Sequence, residues 1–272
     1  MTARSAADSG WGRRSADRWV FPAMDTVFSF VIPGLAARPD ADRTATALAA
    51  ELGRIEAELS VFDADSEVTR WRAGTDAAPS SDLLAVIADC ERLEARTHGA
   101  FSAGRGPTFD PTGYVKGWAL RRLAGLLDSR GLDSYCLNGG GDVVVRGRRA
   151  DGSPWRVGVS HPRRAGELAT VITAPSGWDA QLAVATSGVG ERGRHIAHPA
   201  TGWRPMHSSV TVVGDDIAVA DALATAALAV GEEGPGASGR LVTRLGFEAF
   251  GFAETGDPWW TPGMPRFAAL PA

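Results

Sequence analysis

The chain has 272 residues, 44% of them apolar and 22% charged, with a formal net charge of −4 at pH 7. That is enough for a sizeable core in one large domain or two small ones, and the acidic balance argues against a nucleic-acid surface, which needs clustered excess cations. Two cysteines, Cys90 and Cys136, make neither a disulfide scaffold nor a zinc site and read as core thiols, and no stretch is long and apolar enough to span a membrane.

Residues 1–20, rich in Ser, Ala, Arg and Asp without periodicity, read as a disordered tail. Arg13-Arg14 ahead of the apolar residues 27–37 imitates an export signal. Asp25 just before that run and the Pro33-Gly34 break inside it argue instead for a first strand at residues 27–32 and a cytoplasmic protein. The fold is expected to start near Phe21, with residues 21–32 extended. A helix follows at residues 44–59, with Leu48, Leu52, Ile55 and Leu59 as its buried stripe. Residues 59–71 are turn-rich; Asp63 and Asp65 there suit Asx turns, with a ligand loop as the alternative. Ser80 and Ser81 cap a second helix carrying Leu83, Leu84, Ile87, Cys90 and Leu93. Thr97-His98-Gly99 ends it, which gives His98 a structural role.

Residues 107–142 hold the only lysine, Lys116, and the only asparagine, Asn138. In a chain that otherwise uses arginine, a retained lysine points to a compact ammonium where a planar guanidinium does not fit. Asp110, Pro111, Thr112 and Gly113 read as a turn and Lys116 as part of the first turn of a helix with Leu120, Leu123, Leu126 and Leu127 buried. Gly131 ends that helix, and a short strand at residues 135–138 runs into Gly139-Gly140-Gly141-Asp142. A Gly-bearing turn opening a helix offers free N–H groups and a positive dipole end to a phosphate, and the lysine adds a point charge; a plain turn with a surface lysine is the bland alternative.

Residues 155–160, 168–173 and 181–185 alternate as strands, closed by Thr186-Ser187-Gly188. A loop with His195 and His198 precedes a strand at residues 209–213; the HxxH spacing lacks a third zinc ligand, and a neutral loop histidine suits a general base or no role at all. Residues 217–231 form a helix apolar nearly all round, in which Asp221 and Thr225, four apart, share one face. A buried carboxylate needs compensation, and this helix has no cation. Magnesium held by Asp221, Thr225 and a backbone carbonyl would supply it, as would a hydrogen-bonding loop. A last helix at residues 239–245, a strand at 247–252 and a tail with Trp259 and Trp260 wrapping the surface complete an α+β chain without a βαβ rhythm.

Six motifs in order resemble the ApbE family of flavin transferases. Residues 110–117, Asp-Pro-Thr-Gly-Tyr-Val-Lys-Gly, resemble its D-x-x-G-x-x-K-G, and Asn138 to Asp142 its N-x-G-G-D. Thr186-Ser187-Gly188, His195-Ile196 with Pro199 and Thr201-Gly202, residues 220–225 (Ala-Asp-Ala-Leu-Ala-Thr), and Met24 with Thr26 supply the rest. The resemblance implies one large flavin transferase domain over residues 21–262, with a C-terminal tail at 263–272, α+β and T-fold-like, its mainly antiparallel sheets packed by helices. It implies FAD bound by Met24, Phe62, Ala100, Phe101, Ser102, Asp110, Lys116 and Ile196, and Mg2+ held by Gly113, Asp221 and Thr225. It also implies transfer of FMN from FAD to a threonine of an acceptor flavoprotein with release of AMP, His195 acting as base and Lys116 stabilising phosphate charge. FAD hydrolysis to FMN and AMP, or flavin binding without catalysis, are the alternatives. Asp25, Ser102, Arg121 and His198 depart from the family's usual residues.

Overall fold

In a computed structural model, residues 12–15, 17–75, 78–178, 180–189, 207–230 and 234–271 are described. Nine strands pair antiparallel throughout into one sheet. It starts with β1 (Gly12–Ser15), β2 (Arg18–Ala23) and β3 (Thr26–Val31), and continues through β4 (Tyr135–Gly139) and β5 (Asp142–Arg146). A separate ribbon of β6 (Arg156–Ser160) and β7 (Leu168–Thr173) intervenes in the chain. β8 (Leu182–Gly188), β9 (His207–Gly214), β10 (Glu248–Ala253) and β11 (Pro258–Trp260) then complete the sheet in the order β1-β2-β3-β4-β5-β8-β9-β10-β11.

Each face of this sheet has its own core. One carries α1 (Ala41–Leu59), α2 (Glu67–Arg72), α3 (Ser81–Arg96), α4 (Thr112–Ser129) and α5 (Ile217–Ala229), whose apolar residues join Phe28, Phe30, Leu137 and Val144 in one cluster. On the other face, Val143, Val145, Val184, Val213 and Phe250 meet Val157, Val159 and Ile172 of the ribbon and the C-terminal Met264 and Phe267. α6 (Pro235–Arg244) adds Leu241 and Val242 to the helical side. This is the expected α+β architecture of antiparallel strands with packed helices.

The structure corrects several local expectations. Residues 12–15 and 18–20 form strands in what reads as a disordered tail, because β1 pairs antiparallel with β2, and β2 with β3. Residues 21–32 form a hairpin rather than one extended element: Ala23 pairs with Thr26 across Met24 and Asp25. α4 begins at Thr112, which puts Lys116 in its second turn. Thr261, Met264 and Phe267 are buried, so the end of the chain belongs to the second core rather than wrapping over the surface. Its backbone is tied in as well, since the Thr173 N–H donates to the Phe267 carbonyl at 2.8 Å. Both cysteines are free, and burial pushes their thiols up, Cys90 to about 12 and Cys136 to about 11. Among the described residues no helix is long and apolar enough to cross a membrane.

Candidate active site

The site is built where α4 crosses α5. A Cβ on Gly117 would lie 2.6 Å from the Ile217 carbonyl oxygen and 2.8 Å from Asp221 Cβ, so only glycine permits this approach. The closeness lets the Gly117 N–H donate to Asp221 Oδ2 at 2.9 Å. In a regular helix that N–H serves the carbonyl four residues back, here Gly113; at this crossing it also answers to Asp221. Gly113 itself faces Thr225, and a Cβ there would stand 3.7 Å from Thr225 Oγ1 and 3.5 Å from the Phe101 ring.

Lys116 lies between two buried carboxylates. Its Nζ donates to Asp142 and sits 3.3 Å from both oxygens of Asp221. Asp142 is fixed in turn by the Thr186 N–H at 3.0 Å, and Ser187 Oγ lies 3.2 Å from Thr225 Oγ1. Burial opposes charge on Lys116, but Asp221 and Asp142 outweigh it and hold the ammonium above its ordinary range. Burial raises the Asp221 carboxyl, only partly offset by Lys116 and the Gly117 N–H, and Asp142 adds to the rise. Two carboxylates share one ammonium, and the cluster is short of positive charge.

Above this cluster opens a cleft of about 480 Å³, within the usual size of a small-molecule site. Thr112, Val115 and Lys116 of α4 form one side; Ile55, Glu56 and Leu59 of α1 and the following Ser60 to Asp63 form another. Met24 and Asp25 close it from the β2–β3 hairpin. Phe62 at its rim is a large ring left 78% exposed. The cleft therefore has an apolar, aromatic end and a charged floor.

Of the residues expected to bind a ligand, the structure brings Met24, Phe62 and Lys116 into this one cleft. Gly113, Asp221 and Thr225 meet beneath it. Asp110 is exposed and accepts from the Thr112 N–H at 3.0 Å, which orders the start of α4. Phe101 is buried below Gly113, Ala100 is buried beside it, and Ser102 Oγ bonds Glu94 Oε1 at 3.3 Å; this segment supports the α4 terminus and does not line the cleft. His195 and Ile196 lie outside the described residues. The absence of a cation within α5 does not leave Asp221 alone, because Lys116 and Gly117 of α4 answer it. Asp142 and Ser187 join the site without being among the residues expected there, although both stand in motifs that single themselves out, Gly-Gly-Gly-Asp and Thr-Ser-Gly. Arg121, one of the family departures, joins Asp89 at 2.8 Å, Tyr114 at 2.8 Å and Asp216 at 3.1 Å, tying α3 to α4 and to the residue that caps α5.

An antiparallel α+β fold with a lysine–carboxylate floor under an aromatic-rimmed cleft defines a candidate small-molecule site at the α4–α5 crossing. Comparison with known proteins makes the class specific. The ApbE family profile matches residues 24–110 and 103–237, and the chain belongs to that family. It is 26% identical over 277 aligned positions to the FAD:protein FMN transferase of Vibrio cholerae, covering 78% of this chain and 80% of that protein. The fold matches the ApbE protein of Thermotoga maritima with a TM-score of 0.78 at 21% identity, over 92% of this chain and 98% of the other. It matches the flavin transferase ApbE of Vibrio cholerae with a TM-score of 0.73 at 22% identity, over 93% and 100%.

Proposed function

We propose that this protein is a magnesium-dependent FAD:protein FMN transferase, moving FMN from FAD to a threonine hydroxyl of an acceptor flavoprotein and releasing AMP. The observation that carries the reading is Lys116, held by Asp142 and Asp221 at the floor of a cleft whose other end is rimmed by Phe62. The names of the relatives support FAD and a protein acceptor; the family resemblance supports the threonine and the leaving AMP.

The donor set at the crossing suits a hard cation: one buried carboxylate, one hydroxyl, and a carbonyl whose helical N–H is drawn toward Asp221. The charge deficit around Asp221 is what a divalent ion would offset. Among the described residues no group of three or more His, Cys, Asp or Glu side chains forms a metal cage, so the ligands would be Gly113, Asp221 and Thr225. Magnesium bound there supplies polarisation of the pyrophosphate and stabilisation of charge on the departing phosphate.

The chain's own residues do the rest. Phe62 and Met24 hold the ring end of FAD, and the α4 terminus with Lys116 orients the two phosphates. The acceptor threonine oxygen forms a bond to the FMN phosphorus as the bridging P–O bond breaks. The hydroxyl proton passes to His195, and AMP carries away the bridging oxygen. Lys116 stabilises the charge that develops on the phosphoryl oxygens.

Incubation with FAD, Mg2+ and a threonine-bearing acceptor flavoprotein tests this. A covalently fluorescent acceptor with one AMP per label is the expected result, lost in Asp221→Ala. AMP without labelling makes the enzyme an FAD hydrolase, and tightly bound FAD with neither product makes it a binding module.

A further inference from the structure

We propose that Glu56 is a positioning residue for the flavin site, bracing the left-handed Met24-Asp25 turn that walls the cleft. The inference rests on reading the cleft as the FAD site. Met24 and Asp25 both have positive φ, 53° and 54°. A two-residue hairpin turn of this hand matches the twist of its strands, and Asn-Gly or Gly-Gly adopts it freely. Methionine does not, because its Cβ crowds the neighbouring carbonyl in the left-handed region. Such a conformation persists only where the surroundings hold it.

Two contacts hold it. On one side the Met24 N–H donates to Glu56 Oε1 at 2.9 Å. Glu56 is itself fixed by the last turns of α1, where Leu52, Ile55 and Leu59 are buried. On the other side the Gly140 N–H donates to the Val27 carbonyl at 3.2 Å, and a Cβ on Gly140 would lie 2.7 Å from Thr26 Oγ1. The turn is thus clamped between α1 and the glycine turn that delivers Asp142 to Lys116. The Gly140 contact holds the flanks of the hairpin, while Glu56 holds the strained residue itself. Loss of the Glu56 contact frees the turn to relax and takes Met24 from the cleft wall.

Three variants separate reach, charge and direct ligand contact. Glu56→Gln keeps the acceptor without the charge; Glu56→Asp keeps the charge and falls one methylene short. Adding Asp25→Gly to Glu56→Asp lets the turn form unbraced. By fluorescence titration, Glu56→Asp weakens FAD binding about tenfold, the scale of one hydrogen bond to a charged group. Glu56→Gln and the double variant stay within about threefold of the wild type by the same measure. Amide exchange at Met24, read without ligand, is faster in Glu56→Asp than in the wild type or Glu56→Gln. Equal FAD affinity in Glu56→Asp and the wild type overturns the inference. Equal weakening in Glu56→Asp and Glu56→Gln shows that an acceptor at full reach does not preserve binding and also overturns it, as does failure of Asp25→Gly to restore binding. If the wild type ignores FAD while Met24 exchange follows the stated pattern, the flavin reading falls and the brace stands.

Discussion

Two charge clusters on the helical side of this protein are built in opposite ways. At the α4–α5 crossing, one lysine meets two carboxylates that are nearly sealed from water: Lys116 is 20% exposed, Asp142 2% and Asp221 6% by side chain. On the outer surface of α1, α3 and α4, Arg54 meets Glu51 at 2.8 Å, Glu58 at 2.7 Å and Asp82 at 2.8 Å, and Arg122 joins Glu51 at 3.1 Å. The surface cluster contains more ion pairs with better geometry. The buried one costs more to break, because water cannot replace a lost partner there. The difference also accounts for the amino-acid choice. A forked guanidinium suits several carboxylates spread along helix surfaces, whereas a point charge on a slim stem fits between two buried acids.

The strongest way to break this contrast is Lys116→Ala. It strands Asp142 and Asp221 with one backbone N–H each, and removing one partner of a buried pair costs about 3–5 kcal/mol. A fall in denaturant midpoint of that size with complete loss of FMN transfer is expected; stability within 1 kcal/mol of the wild type, roughly the surface-pair range, would sink the contrast. Lys116→Arg keeps the charge, yet is expected to lose activity because the fork does not fit between Asp142 and Asp221.

Gly117→Ala follows. Its Cβ would stand 2.6 Å from the Ile217 carbonyl oxygen, against backbone that cannot swing aside. Overpacking of this kind costs about 1–3 kcal/mol. Parting the helices also lengthens the Gly117–Asp221 bond, so melting temperature and flavin transfer are expected to decline together. Activity at wild-type level would show that the crossing tolerates more space than its contacts indicate.

What the amino-acid order made legible divides along the same line. Local signals served well: Leu48, Leu52, Ile55 and Leu59 are all buried on α1, and Ser80 Oγ accepts from the Leu83 N–H at 3.1 Å as a helix cap. The three strand runs at residues 155–185 and the apolar α5 also stand close to where their periodicity puts them. β5 escaped notice because Val143 and Val145 face one core and Val144 the other, so no polar alternation marks it. α2 has only six residues, too few for a stripe. The partner of Asp221 was invisible for a different reason. Lys116 and Asp221 are 105 residues apart, and nothing along the chain states that α4 and α5 cross at Gly117. The unusual letters, one lysine and one buried acid, were visible; their pairing is a property of the fold.

His207 sharpens the contrast from a third direction, as a buried group kept neutral instead of paired with an opposite charge. Its Nε2 lies 3.0 Å from Ser238 Oγ, which donates to the Ala227 carbonyl at 2.7 Å, and the ring sits 5.1 Å from that of Trp259. Burial pushes its pKa down to about 4. A histidine lowered below its unfolded value contributes stability that is fully present above the unfolded pKa and is lost as pH falls toward the folded one. Melting temperature is therefore expected to fall between about pH 6.5 and pH 4, by about 2–4 °C for each kcal/mol lost. His207→Gln, which keeps an amide donor for Ser238, should flatten that slope. An unchanged slope would place the acid sensitivity elsewhere.

The smallest effect is expected where the crystal-clear geometry of ion pairs is most abundant. Arg54→Ala removes three carboxylate contacts at once, yet the guanidinium is 36% exposed and lies on the helix surface, and surface pairs contribute about 0.2–1 kcal/mol apiece with losses shared across a network. Glu51 and Asp82 also keep Arg122 as a partner, at 3.1 Å and 3.6 Å, so neither acid is left alone. A total loss near 1 kcal/mol is expected, shrinking further as salt shortens the screening length to about 3 Å at 1 M. Urea unfolding at low and high salt reads both quantities. A loss matching that of Lys116→Ala, or one indifferent to salt, would mean that the surface network is as dry as the α4–α5 crossing, and burial would no longer explain why this chain keeps its lysine there.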